Sequence, residues 1–234
     1  MNKIAKYAAT HRMIDLLGDN YSFLHVMSRF GLSLGFGSKT IEAVCEENNV
    51  DCNTFLTVIN FIAEGSCRID ETADLSIPTL IDYLKNSHSY FLDFALPKIR
   101  ERLVEATSGD ERSEIDFLII QFFDNYMQEV HKHMTYENET VFKYVENLLE
   151  GNILNNYTIT TYSKHHDLVN EKLRELKNII LKYRTSNSNN NLMFAALFDI
   201  YSCDSQLETH CKVEDYIFTP AILKLEKKIK ENEK

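Results

Sequence analysis

Two pairs of residues in this sequence set a histidine four positions before a glutamate: His133 with Glu137, and His210 with Glu214. On a helix that spacing is one turn plus about 40°, so each pair shares a face. In both cases the face is otherwise apolar. The first reads Tyr126, Val130, His133, Glu137, Val141, Val145, Leu148, and the second Met193, Leu197, Ile200, Leu207, His210, Glu214, Ile217, Phe218, Ala221. Two more stripes carry one histidine each: Ile81, Leu84, His88, Phe91, Ala95, Ile99, and Tyr162, His166, Val169, Leu173, Leu176, Ile180. A buried carboxylate must be paired, hydrogen-bonded or bound to metal. Two glutamates beside four imidazoles form a set whose charge two divalent cations would compensate. Nitrogen and oxygen donors without a thiolate suit iron or manganese, although affinity alone favours zinc or copper. If both carboxylates bridge, each metal receives two imidazole nitrogens and two carboxylate oxygens. Positions are then left open for an oxo or hydroxo bridge, oxygen or nitric oxide.

A single core histidine is ordinarily a hydrogen-bonded structural residue, and a single His-x-x-x-Glu is often a solvated helical pair. The weight lies in four stripes interrupted together. The remaining histidines fall outside the pattern: His131 lies about 200° from His133 and His165 about 100° from His166 on their helices, while His11 and His25 carry no spacing signal. Ferritin-like di-metal bundles use Glu-x-x-His at a spacing of three, so a spacing of four points to a different ligand arrangement on a similar scaffold. No serine or cysteine nucleophile accompanies the histidines as a hydrolase would require, and Cys211 points about 100° away from His210.

To bring four stripes to one axis the chain needs four long helices. They are expected at about 78–106, 111–149, 157–185 and 190–230, divided by Ser108-Gly109-Asp110, by Glu150-Gly151-Asn152 and by the polar run from Ser186 to Asn191. Three short connections predict an antiparallel up-down-up-down bundle over residues 76–234. Pro97 and Pro220 are expected to kink or end their helices. Residues 1–75 show only short helical patterns, broken at Gly18-Asp19-Asn20, Gly31, Gly35, Gly37 and Asn48-Asn49, and read as a small helical domain of their own. The fold class is all-α.

Bulk properties narrow the function. The 234 residues are 44% hydrophobic and 26% charged, as in a globular protein. No apolar run approaches the roughly 20 residues of a membrane span, and no secretory signal is visible, which places the chain in the cytoplasm and away from membranes. A net charge of −10 gives nucleic-acid binding no general support. The lysines near the C-terminus alternate with glutamates as on a solvated helix face. Five cysteines without a CxxC spacing read as free thiols.

The residues resemble a known family. His133-Met134-Thr135-Tyr136-Glu137 followed by Val141-Phe142 is similar to the second-helix motif of hemerythrin-like bundles. His165-His166-Asp167 and His210-Cys211-Lys212-Val213-Glu214, followed by Ile217-Phe218-Thr219-Pro220, resemble the later motifs. A small N-terminal module ahead of such a bundle resembles the iron-sulfur cluster repair di-iron proteins, also described as regulators of cell morphogenesis and nitric oxide signalling. The resemblance implies two non-haem iron ions with an oxo or hydroxo bridge. It implies terminal ligands at His88, His133, His166 and His210, and bridging carboxylates at Glu137 and Glu214. Aligning Leu96-Pro97 with the family's leucine-proline pair sets Ser89 rather than His88 at the first ligand column, whereas the apolar stripe favours His88. The implied function is repair of iron-sulfur clusters damaged by nitric oxide or oxidative stress, with iron-sulfur client proteins. The alternative is a sensor or store of oxygen or nitric oxide that signals through the N-terminal domain. Oligomeric state is open, a homodimer included. Where the family often has a cysteine pair before a glycine-rich turn, this chain has Ser33-Leu34-Gly35-Phe36-Gly37, so no thiol chemistry comes from that loop and a partner-docking role for the module gains weight.

Overall fold

A computed structural model describes residues 6–64, 74–108, 113–152, 157–162, 167–184 and 189–232, with 167–171 as backbone only. Among them every regular element is helical, and extended pairing is limited to one antiparallel bridge between Arg12 and Thr40. The all-α expectation holds. Gly65, Cys67, Gly109-Asp110, residues 186–188, His165 and His166 lie outside the described residues. Contacts divide the chain into two compact units, His88–Lys212 and a second formed by Met1–Ser87 with Val213–Lys234. Both divisions fall inside continuous helical runs.

The second unit holds the short helices α1 (Met13–Asp19), α2 (Phe23–Arg29), α3 (Ile41–Glu47) and α4 (Cys52–Glu64), most of α5 (Ile77–Ser89) and the C-terminal α11 (Thr219–Asn232). Thr40 caps α3, its hydroxyl accepting the Ala43 N–H at 3.2 Å. Asn49 closes the same helix at φ 55°, and Val50 N–H returns to the Cys45 carbonyl at 2.9 Å, a Schellman-type ending. Phe30 packs on Phe55 at 5.2 Å and on Tyr83 at 4.6 Å. The buried Asn60 side chain accepts Tyr7 N–H at 2.8 Å and donates to Tyr7 O at 3.0 Å, so one amide satisfies both backbone groups.

The other unit is the four-helix bundle, built from α6 (Leu96–Ala106), α7 (Glu114–Tyr136), α8 (Phe142–Leu149), α9 (Asp167–Tyr183) and α10 (Asn190–Val213). Its core joins Ile99 and Leu103, then Ile119, Phe123 and Val130, then Leu173, Leu176 and Ile180, then Met193, Ile200 and Leu207, one set from each of the four helical runs. The Ser113 hydroxyl caps α7 by accepting Asp116 N–H at 3.1 Å. The third run differs from expectation, opening with a short 3₁₀ turn, Ile159–Thr161, ahead of α9.

Pro97 and Pro220 do not end their helical runs. Each lies just past a π-helical turn, Tyr90–Ala95 and Glu214–Phe218, and a third such turn, Glu137–Val141, joins α7 to α8. In these turns the bonds span five residues: Leu96 N–H to Phe91 O, Phe142 N–H to Glu137 O, and Thr219 N–H to Glu214 O. Proline removes a donor and its ring crowds the carbonyl four residues back. Those carbonyls, Asp93 and Tyr216, lie inside the widened turns, which carry one extra residue and relieve the crowding.

At one end of the bundle a buried ion pair ties three helices. Arg184 Nε donates to Asp116 Oδ1 at 3.0 Å and Nη2 donates to the Ala106 carbonyl at 3.0 Å, with both charged side chains under 5% exposed. Replacing Arg184 with alanine leaves that carboxylate uncompensated and is expected to cost about 3 kcal/mol in denaturant unfolding. Tyr126 shows the opposite economy: its buried hydroxyl has no hydrogen-bond partner among the described residues. Tyr126→Phe is therefore expected to raise stability by about 1 kcal/mol. Burial, then Cys203, Asp204 and Cys211, hold this phenol well above its ordinary value of 10.0. The folded chain keeps the proton where the unfolded chain releases it, so wild-type stability falls as pH rises past about 10, and the variant flattens that alkaline limb in unfolding measured against pH.

Candidate metal centre

The helices deliver the chemistry-bearing side chains at their ends. His88 is in the last turn of α5, His133 in the last turn of α7, and His210 near the end of α10. Glu137 and Glu214 each open a π turn. Glu137 is wholly buried, and its two oxygens face different imidazoles: Oε1 lies 3.0 Å from His133 Nε2, and Oε2 lies 3.2 Å from His88 Nε2. His88 Nε2 and His210 Nε2 face each other at 3.1 Å. Ligand atoms of His88, Glu137 and His210 lie within 4.8 Å of one another. Glu214 follows His210 by one turn along the same helical run and is also fully buried.

These separations test the fit of a metal. Two donors at right angles on one first-row ion, with bonds of about 2.1 Å, lie about 3.0 Å apart. All three contacts have that spacing. Two imidazole nitrogens turned toward each other can share at most one proton between them, so their convergence is better explained by a common cation than by a hydrogen bond alone. A carboxylate whose oxygens address different imidazoles is disposed to bridge two ions. The donor set therefore fits mixed nitrogen and oxygen ligation without thiolate.

Further residues hold the donors in place. His88 Nδ1 bonds to Asn138 Oδ1 at 2.9 Å, which makes Nδ1 the protonated nitrogen and leaves the Nε2 lone pair facing inward. The Tyr162 hydroxyl donates to Glu137 Oε1 at 2.8 Å. Phe142 stacks on His88 with centroids 5.5 Å apart, and Phe91 meets His210 edge-on at 5.9 Å. Apolar rings thus wall the imidazoles from water. His133, at 16% exposure, is the described histidine of the cluster with most access to solvent, against 1% for His88 and 4% for His210.

Of the residues singled out in the sequence, His88, His133, Glu137 and His210 come together, Glu214 is buried on the run that carries His210, and His166 lies outside the described residues. Ser89 is exposed, and His88 occupies the inward position. His131 is exposed too, within 3.3 Å of the Thr135 hydroxyl. Sequence reasoning missed Asn138 and the polar role of Tyr162. Asn138 stands about 100° round the helix from Glu137, off the apolar stripe. Tyr162 lies on an apolar stripe, yet a buried tyrosine hydroxyl ordinarily seeks a partner, and an inward carboxylate is the one that matches it. Asn138→Ala and Tyr162→Phe are each expected to weaken metal binding by about 10- to 100-fold in chelator competition while leaving helical content unchanged.

Residues 79–222, more than half of the chain, match the family model described as Hemerythrin HHE cation binding domain. The match spans all six candidate ligands. No curated protein and no solved structure matches the chain.

Proposed function

The chain belongs to the hemerythrin HHE cation-binding family and is a metal-binding protein, and from that premise we propose that it is a non-haem di-iron protein that repairs iron-sulfur clusters damaged by nitric oxide or oxidative stress. His88, His133, His166 and His210 would be the terminal ligands and Glu137 and Glu214 the bridging carboxylates of two irons. The observation that carries this reading is Glu137, buried with one oxygen on His133 and the other on His88. Such a centre, when bound, supplies reversible one-electron chemistry and open coordination positions. Asn138 fixes the His88 tautomer, Tyr162 holds one Glu137 oxygen, and Phe91 and Phe142 exclude water. A small ligand such as oxygen or nitric oxide would arrive past His133, the side with solvent access.

A second reading, an oxygen or nitric oxide sensor or store, draws on the Ser33-to-Gly37 loop, which has no cysteine to take part in repair. There residues 1–75 would dock a partner and residues 76–234 would hold the metal. Among the described residues no helix is long and apolar enough to cross a membrane, and the proposed setting is the cytoplasm.

Protein purified without added metal is expected to hold about two irons per chain and an oxo-bridge charge-transfer band. Both should be lost in a His133→Ala, Glu137→Ala double variant. Absence of metal in the wild type, with no uptake of ferrous iron under anaerobic reconstitution, would overturn the di-iron assignment. Restored activity of a nitric-oxide-damaged cluster enzyme on addition of iron-loaded protein favours repair. Nitric oxide binding without restoration favours sensing.

A further inference from the structure

Over its first three turns α10 is apolar on two faces. Met193, Ala196, Leu197 and Ile200 belong to the bundle core. Phe194, Phe198 and Tyr201 face the other way and are 63%, 73% and 48% exposed. Their spacing of four and three holds the three rings within about 60° of arc, in a single row along the helix. A surface helix ordinarily turns a polar face to solvent. One turn later the same helix does so, where Ser205, Glu208 and Lys212 are exposed and Lys212 pairs with Glu208 at 2.7 Å. The aromatic row is therefore confined to one patch. α9 borders it. Lys177 of α9 pairs with Asp204 and holds its ammonium 4.5 Å from the centre of the Tyr201 ring. Leu181, one turn further along the same edge of α9, is 57% exposed and widens the patch.

We infer that this patch docks a second copy of the chain, α10 against α10 in antiparallel sense, with the two-fold axis beside Phe198. Phe194 lies about 6 Å along the helix on one side of Phe198, and Tyr201 about 4.5 Å on the other. A two-fold axis there lays Phe194 of each copy on Tyr201 of the other and Phe198 on its own counterpart, the self-complementary pattern of an isologous interface. A row of uneven spacing would not meet itself in this way. Area agrees with the same occupant. At roughly 200 Å² for a whole aromatic side chain, the exposed parts of Phe194, Phe198, Tyr201 and Leu181 come to roughly 500 Å² per copy, or about 1,000 Å² from two. A standard interface of about 1,600 Å², about two-thirds apolar in homodimers, requires about that much. Charge permits the contact. The net charge of −10 opposes self-association in general, but the acids beside the row are neutralised within the chain, Asp199 by Arg102 and Asp204 by Lys177. The Lys177 contact also fixes the Tyr201 ring ahead of docking, which lowers the ordering cost. Phe198 stands about 18 Å along α10 from His210, so docking here leaves the proposed ligands untouched and does not depend on the di-iron reading.

The test measures the mass of the full-length protein by light scattering on a sizing column, and its self-association by sedimentation over a dilution series. The expected wild-type mass is twice the 27.2 kDa of one chain. Phe198→Glu and Phe198→Lys are each expected to weaken self-association by about tenfold or more, with helical circular dichroism unchanged because the side chain lies outside the bundle core. Across the two-fold axis each variant meets its own charge, whereas an equimolar mixture sets a carboxylate against an ammonium. The mixture is expected to recover dimer at low salt and lose it at high salt. Phe117→Glu, at an exposed position on α7, is expected to stay dimeric. A wild-type monomer at about 100 μM, beyond the micromolar limit of standard interfaces, would overturn the inference. So would a dimer that survives Phe198→Glu, or two monomeric variants that fail to pair when mixed.

Discussion

Glu137 sits at zero exposure with its oxygens 3.0 and 3.2 Å from two imidazole nitrogens. Taking a carboxylate out of water costs several kcal/mol unless hydrogen bonds and opposite charge return it. The Tyr162 hydroxyl supplies one hydrogen bond, and the imidazoles supply charge only when protonated. Their Nε2 atoms are turned inward, those of His88 and His210 lying 3.1 Å apart. A cation among the nitrogens would add the positive charge that suits a buried carboxylate. The helix ends, the π turns, the aromatic walls and the Asn138 contact all act to keep these atoms where a cation can satisfy them.

Holding a costly cluster requires a scaffold that would be stable without it. Away from the imidazoles the bundle core is mainly apolar, from Ile119 and Phe123 to Leu176, Ile180 and Met193. At that end Asp116 and Arg184 form a pair in which Arg184 also donates to the Ala106 carbonyl and Asp116 also accepts from the Ser113 hydroxyl, the condition under which a buried ion pair is tolerated. Surface pairs, such as Arg100 with Asp124 at 2.6 Å, add little each but fix which helix faces which. Division of labour along the bundle lets one end hold the polar cluster while the other carries most of the apolar burial.

Much of this was legible in the sequence because two signals were redundant. The stripes predicted both the helices and their inward faces, and His-x-x-x-Glu pairs on those stripes marked the polar interruption. Helix starts and stops were readable where their chemistry was local, as at Gly151, whose φ of 81° ends α8 as the Glu150-Gly151-Asn152 break implied. What escaped was set by distant contacts. Asn138 gains its role only from His88, fifty residues earlier. The early opening of the third run, with a 3₁₀ turn where a continuous helix was expected, has Tyr162 as its last buried side chain before the undescribed stretch, already committed to Glu137.

The π turns could also have been read, and the reason bears on how the site is made. In the second helical run the inward residues proceed His133, Glu137, Val141, Val145, three successive steps of four. In a regular helix each such step drifts about 40°, so the stripe would wander about 120° off the core. All but His133 are fully buried, and His133 is nearly so. The extra residue of the Glu137–Val141 turn is worth about 100° of rotation and cancels the drift. The same run of fours appears from Phe91 through Ala95 and Ile99 to Leu103, and from His210 through Glu214 and Phe218 to Ile222, and each encloses or adjoins a π turn. A π turn thus lets a histidine and a glutamate four apart both face the axis without sacrificing the apolar register beyond them. Where a proline follows, as at Pro97 and Pro220, the same widening absorbs its missing donor. The local backbone irregularity and the ligand spacing are therefore one feature, and the spacing of four rather than three is what requires it.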